Sequence, residues 1–197
     1  MAAPIITTRA EAARVLAASL LGDGTDRWRH SAGVAERAGA LAVRLGLDED
    51  LLVAAAWLHD VGYAAPLIET GFHPIDGARH LTREGWPARV AGLVAHHSGA
   101  RFVAEVRGLA AELSEFPDER SIVADVLTYA DQTVGPRGDR VDPEARYAEM
   151  LLRHGPCSFN ALADPGRRPH LRAVAARVEA LLAATYSERR KVVSASR

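Results

Sequence analysis

A histidine and an aspartate stand side by side at His59-Asp60, directly after an apolar run from Leu51 to Leu58. Neutral imidazole and carboxylate are the ligands that divalent transition ions accept. More of the same chemistry lies on either side: His30 before the pair, His73, His80, His96 and His97 after it, and Asp131 further on. Of the 8 histidines, all but His154 and His170 fall between His30 and His97. A lone histidine on an apolar face usually serves packing or solvent rather than a metal. Here the joint pattern outweighs that reading. Buried polar groups need partners, and these residues all fall at inward-facing or helix-end positions.

The elements that must position these groups read as helices. Thr7 or Thr8 caps a first helix carrying Leu16, Leu20 and Leu21, stopped at Gly22-Asp23-Gly24. Thr25 or Asp26 caps a second over 27–45. His30 lies one turn before Val34 on its inward face. Asp48 opens a third helix, over 49–59, apolar nearly all round and therefore central. Pro74 suits a first helical position, which puts His73 at an N-cap and runs that helix to Gly85. The next spans 88–97 and ends at Ser98-Gly99. Positions 101–117 allow a helix with Val103, Val106, Leu109 and Leu113 on one face. Another, over 121–133, carries Asp131 near its end. A Gly/Pro/Arg loop over 135–143 leads to two last helices, over 144–153 and from Pro169 to about 189. No segment reads as a strand, so the expected class is all-α.

Composition removes several alternatives. The 197 residues suit one domain, and 48% apolar residues are enough for a core. The formal charge of -1 gives no global field for nucleic acid, and aromatics are few. The single cysteine, Cys157, excludes an intramolecular disulfide and a thiolate zinc site. Met1 to Ile6 lacks the layout of a signal peptide, and no run approaches a membrane span. The expectation is a cytoplasmic protein with neither a membrane nor a nucleic-acid partner. An amphipathic C-terminal stretch (Leu171, Val174, Val178, Leu181, Leu182) is expected on the core and leaves a homodimer open.

His30, His59-Asp60 in "LHDVGY" and Asp131 in "TYADQT" resemble the H…HD…D signature of the HD-domain superfamily of metal-dependent phosphohydrolases. "FHPIDGARHL" and "LVAHHSGA" resemble the further histidine motifs of its two-metal branch, and "HDVGY" resembles the HDIG subgroup. The motifs span about residues 25–137. The Lys of the HDxxK variant is absent, its place falling within Val61-Gly62-Tyr63. The Gly-Tyr-Pro signature of the cyclic-di-GMP branch is missing after His97, which argues against that substrate.

The resemblance implies an N-terminal helix over 1–24 packed on an HD-domain core over 25–137, with C-terminal helices of the same domain over 138–197. It implies one or two divalent transition ions, with Fe, Mn, Zn, Co and Ni not distinguished. His30, His59, Asp60 and Asp131 would hold the first; Asp60, His73 and His96 the second. His96 is favoured over its neighbour His97, but either of the two could be that ligand, and His97 and His80 are otherwise expected to support the ligands from behind. The implied chemistry is hydrolysis of a phosphate ester or anhydride of a small phosphorylated molecule, foremost a nucleotide. A metal-bound hydroxide would be the nucleophile and His59-Asp60 the centre of catalysis. Arg101, then Arg137 and Arg140, are the expected phosphate cations by position. Tyr63 is expected in the pocket. Arg29, His154 and His170 are read as surface residues and Cys157 as inert. A mixed-valent di-iron oxygenase would use the same ligands, and a non-catalytic nucleotide-binding module is the third reading.

Overall fold

The computed structural model describes residues 8–195, with side chains to residue 187. Met1 to Ile6 and Thr7 lie outside the described residues. Most helix starts follow from a short polar side chain that satisfies an otherwise unpaired N–H group. Thr8 accepts from Glu11 N at 3.2 Å and opens α1 (Arg9–Leu21). Thr25 accepts from Trp28 N at 3.2 Å and opens α2 (Asp26–Leu45), which Gly46 ends at φ 66. Asp48 accepts from Leu51 N at 3.0 Å and opens α3 (Glu49–Leu58).

Helix α3 buries Leu51, Leu52, Ala54, Ala55, Ala56, Trp57 and Leu58. It packs between α1 and α2, and also meets α5 (Ala88–His96) and α8 (Ile122–Gln132). Its end is fixed by glycine. A Cβ on Gly62 would lie 2.0 Å from the His73 carbonyl oxygen and 2.6 Å from Gly77 N. The absent side chain lets α4 (His73–Arg83) cross the end of α3 at backbone distance. His73 is the first residue of α4 and Phe72 the cap, one place earlier than Pro74 at the first position would give. Buried Asp76 ties down the entry loop, accepting from Thr70 N at 2.9 Å, Thr70 Oγ1 at 2.7 Å and Gly71 N at 3.0 Å.

Two expectations change. Positions 101–117 do not share one helical face. Gly108, at φ 72, splits them into α6 (Ala100–Arg107) and α7 (Ala110–Leu113). Helix α9 (Pro143–His154) follows, capped by Asp142. The final helix, α10 (Phe159–Ala195), begins ten positions before Pro169 and runs through Pro165 and Pro169. Each proline deletes one backbone donor. Packing on α6 and α8 carries the helix across them, with Leu171, Val174 and Val178 buried. Among the described residues there is no strand, only an isolated bridge between Val134 and Arg140. The fold is all-α, and no described helix is long and apolar enough to cross a membrane.

Candidate metal centre

Four helix-derived pieces bring their polar ends together. His30 comes from the first turns of α2, and His59-Asp60 from the end of α3. His73 comes from the start of α4, and Asp131 from α8. His97 joins from the turn after α5. The imidazole tautomers follow from their partners, because a carbonyl only accepts. His30 Nδ1–H donates to Gly135 O at 3.0 Å, His59 Nδ1–H to Ala56 O at 2.7 Å, and His97 Nδ1–H to Val94 O at 2.6 Å. Each ring therefore presents the lone pair of Nε2 to the interior.

Those lone pairs face one another and two carboxylates. His30 Nε2 is 3.0 Å from Asp131 Oδ1 and 3.8 Å from Asp60 Oδ2. His59 Nε2 is 3.4 Å from Asp60 Oδ2 and 3.8 Å from Asp131 Oδ1. His73 Nε2 is 3.3 Å from Asp60 Oδ1 and 3.4 Å from His97 Nε2. Asp60 thus turns one oxygen to the His30–His59 side and the other to His73. His59 Nε2 is buried with no hydrogen-bond partner among the described residues. Acceptors packed this closely repel unless a proton or a cation lies among them. His30, His59 and Asp131 form one group whose ligand atoms lie within 4.8 Å of one another, and His59, Asp60 and His97 form a second. This donor set fits a divalent transition ion.

The electrostatics agree with that use. Burial presses His59 down to about 4, against the pull of Asp60 and Asp131. Burial likewise holds His73 well below its ordinary value. For Asp60, burial works upward, but His59, Arg27, His73 and His30 outweigh it and hold the carboxyl low. Asp131 is likewise held low against its burial, by the His30 and His59 rings beside it and by Arg146. Neutral imidazole and ionised carboxylate are the states a metal requires.

Asp131 is positioned from behind. Its Oδ2 accepts from Ser98 Oγ and, at 3.0 Å, from Gln132 Nε2, which leaves Oδ1 for the centre. Ser98 is left-handed at φ 51, a strained state for a residue with a Cβ. Its backbone N donates to Thr128 Oγ1 at 3.0 Å and its carbonyl accepts from Arg167 Nε at 2.9 Å. With Gln132 Nε2 also donating to Ser98 Oγ at 3.1 Å, four partners hold this one turn.

A cleft of about 200 Å³ opens over the centre. Arg27 Nη1 reaches Asp60 Oδ2 at 2.5 Å, and the Arg27 guanidinium carbon lies 4.1 Å from the centroid of the Tyr63 ring. Tyr63 stacks on His73 at 3.9 Å. Arg146 Nη2 is 3.6 Å from Asp131 Oδ1. Arg153, His154, Asn160 and Arg167 also line the cleft.

Several anticipated residues lie elsewhere. His96 is not in the cluster. Its Nε2–H donates to Phe116 O at 3.0 Å, facing the other way, and its neighbour His97 is the residue that turns inward. His80 takes no part in either group, and its Nε2 is buried without a partner among the described residues. Arg101 lies over Phe102, 3.4 Å from His170 Nδ1, in a separate cleft shared with His96. Arg137 is exposed and lines another cleft, and Arg140 belongs to the Val134 bridge. Arg29 pairs with Asp26. His154, read as a surface residue, is exposed but borders the cleft. Cys157 is exposed and free. Arg27, Arg146, Arg167, Ser98 and Gln132 were not anticipated. Arg27 alone left a sequence signal, three places before His30 and so on the same helix face.

The HD domain family model matches residues 27–135. The chain belongs to the HD domain family, within the superfamily of metal-dependent phosphohydrolases, whose members are mostly hydrolases that bind divalent metals. It is also similar to ribonuclease Y of Thermus thermophilus, 38% identical over 74 residues, which is 38% of this chain and 13% of that protein. Ribonuclease Y of Petrotoga mobilis matches at 38% over 74 residues, covering 38% of this chain and 14% of the relative. The match thus spans a small part of these relatives' length. No solved structure matches.

Proposed function

We propose that this chain is a metal-dependent phosphohydrolase cleaving a phosphate ester or anhydride of a small molecule, with nucleotides as the leading class. The observation that carries the reading is the convergence of four imidazole Nε2 atoms, those of His30, His59 and His97 bare, and two ionised carboxylates beneath an arginine-lined cleft. His30, His59, Asp60 and Asp131 would hold one ion, and Asp60, His73 and His97 a second. Bound there, divalent ions would offset phosphate charge and lower the pKa of water. Asp60 serves both sides through its two oxygens. Ser98 and Gln132 keep Asp131 aimed. Arg27 and Arg146, beside the carboxylates, are placed to hold phosphate oxygens through fixed, planar donors. Tyr63, stacked on His73, walls the opening.

The small-molecule reading draws on the net charge of -1 and the few aromatics. The ribonuclease Y relatives make RNA the competing substrate. The test is elemental analysis of the purified chain together with hydrolysis assays on mono-, di- and cyclic nucleotides and a short oligoribonucleotide. Transition metal should copurify or rebind. His59→Ala should lose it, and hydrolysis should fall at least about a hundredfold with it. Unchanged metal content in that variant would refute the centre. Preferred cleavage of the oligoribonucleotide would replace the small-molecule reading, and iron that consumes O₂ with substrate would replace hydrolysis.

A further inference from the structure

The cations around the cleft are not equivalent. Arg27 faces the Asp60 carboxylate at 2.5 Å and Arg146 faces Asp131 at 3.6 Å. Arg153 pairs with Glu149 at 3.4 Å. Arg167 has no such answer. Its Nε donates to the Ser98 carbonyl at 2.9 Å and its Nη1 to Asn160 Oδ1 at 2.9 Å, both neutral oxygens. No carboxylate among the described residues lies within ion-pair distance of it. Arginine does not shed its charge, and taking that charge out of water without an anion is costly.

The side chain is also held in place rather than left to reach for solvent. Its guanidinium carbon lies 5.8 Å from the Tyr147 ring centroid, and a Cβ on the preceding Gly166 would meet Phe102 at 2.8 Å. That turn of α10 is therefore pressed against α6. Through Ser98, whose hydroxyl bonds Asp131, Arg167 sits one residue from the metal centre. A group bound there at the same time as a phosphate at the centre must be close to that phosphate.

We infer that Arg167 receives a second phosphoryl group joined directly to the one at the metal centre, so that the substrate class is a phosphoanhydride such as a nucleoside diphosphate. This rests on the phosphohydrolase reading above. In the reaction, the oxygen of water adds to the phosphorus at the centre. The bond from that phosphorus to the bridging oxygen breaks, and its electron pair leaves on that oxygen with the departing phosphate. The proton released from water goes to solvent. Arg167 lies where the departing group gains its negative charge, which is where a fixed cation has most effect.

The test is calorimetric binding of inorganic pyrophosphate and inorganic phosphate to the full chain loaded with Mn²⁺, with metal content and melting temperature measured in parallel. The wild-type chain should bind pyrophosphate at least about tenfold more tightly than phosphate. Arg167→Gln should shrink that preference to within about threefold, and Arg167→Lys should restore part of it. Asn160→Asp supplies Arg167 with a carboxylate. It should also erase the preference while keeping metal content and melting temperature, which decides the matter if Arg167→Gln fails to fold. Equal affinities in the wild type, or a preference surviving in Asn160→Asp, would overturn the inference. Binding does not require turnover, so a chain that shows the preference yet hydrolyses no phosphate would count against the phosphohydrolase reading instead.

Discussion

With its Nδ1–H on the Val94 carbonyl, His97 holds Nε2 3.4 Å from His73, whereas His96 turns its Nε2 to Phe116. His97→Ala should therefore lower metal content and hydrolysis together. His96→Ala should keep the metal and cost about 1 kcal/mol of stability, the worth of one hydrogen bond. Elemental analysis and thermal melts of the two variants separate these outcomes, and metal loss in His96→Ala alone would reverse the assignment. The sequence could not choose between the two histidines. Neighbouring helical residues point about 100° apart, so the inward one depends on where α5 stops. Ser98-Gly99 announced the stop but not that Ser98 would adopt φ 51. Likewise Arg101 stood beside the motif in sequence, yet α6 carries it to another cleft. Arg167 carried no signal, because its approach depends on how α10 packs.

At the scale of elements, the crossing of α4 over the end of α3 depends on Gly62. Gly62→Ala would place a methyl 2.0 Å from the His73 carbonyl oxygen, against backbone on both sides. The expected loss is at least about 2 kcal/mol, because neither helix can yield without moving His59, Asp60 or His73. Urea unfolding would show it as a lowered midpoint. Gly77→Ala, whose Cβ would lie 3.1 Å from Gly62 N, should cost less. An unchanged midpoint in Gly62→Ala would mean that the crossing is looser than drawn. Most of this layer was legible. Thr8, Thr25 and Asp48, candidate caps by position, cap their helices, and Ser121, expected as the first residue of its helix, proves to be its cap. The apolar run of α3 marked it as central. The start of α10 was hidden because Pro165 and Pro169 normally mark a helix's first turn, and tertiary packing overrode that local signal.

For the whole molecule, the buried histidines set how stability responds to acid. In the unfolded chain His59 takes up a proton below its ordinary 6.5, while in the native state it resists until about 4. Between those values the unfolded state binds more protons, so stability falls as pH falls. For His59 the loss at pH 5 is about 2 kcal/mol, and His73, shifted the same way, adds to it. Asp60 and Asp131, held low, contribute only below about pH 4, again toward instability in acid. Urea titrations of chelator-treated protein at pH 7.5 and 5.0 should show the lower midpoint at 5.0. A midpoint that rose in acid would contradict the neutral assignment.

The carbonyl clamps at Gly135, Ala56 and Val94 bear on how the protein would load. Each fixes one imidazole in the tautomer with its Nε2 bare. His59 and His73 are held neutral at pH 7, and Asp60 and Asp131 are already ionised. Uptake therefore has few hydrogens to displace. Titration calorimetry of zinc binding at pH 7.5, in two buffers with very different ionisation heats, should give nearly the same enthalpy. That corresponds to less than about half a proton released per ion, where a thiolate site would shed one for each protonated ligand.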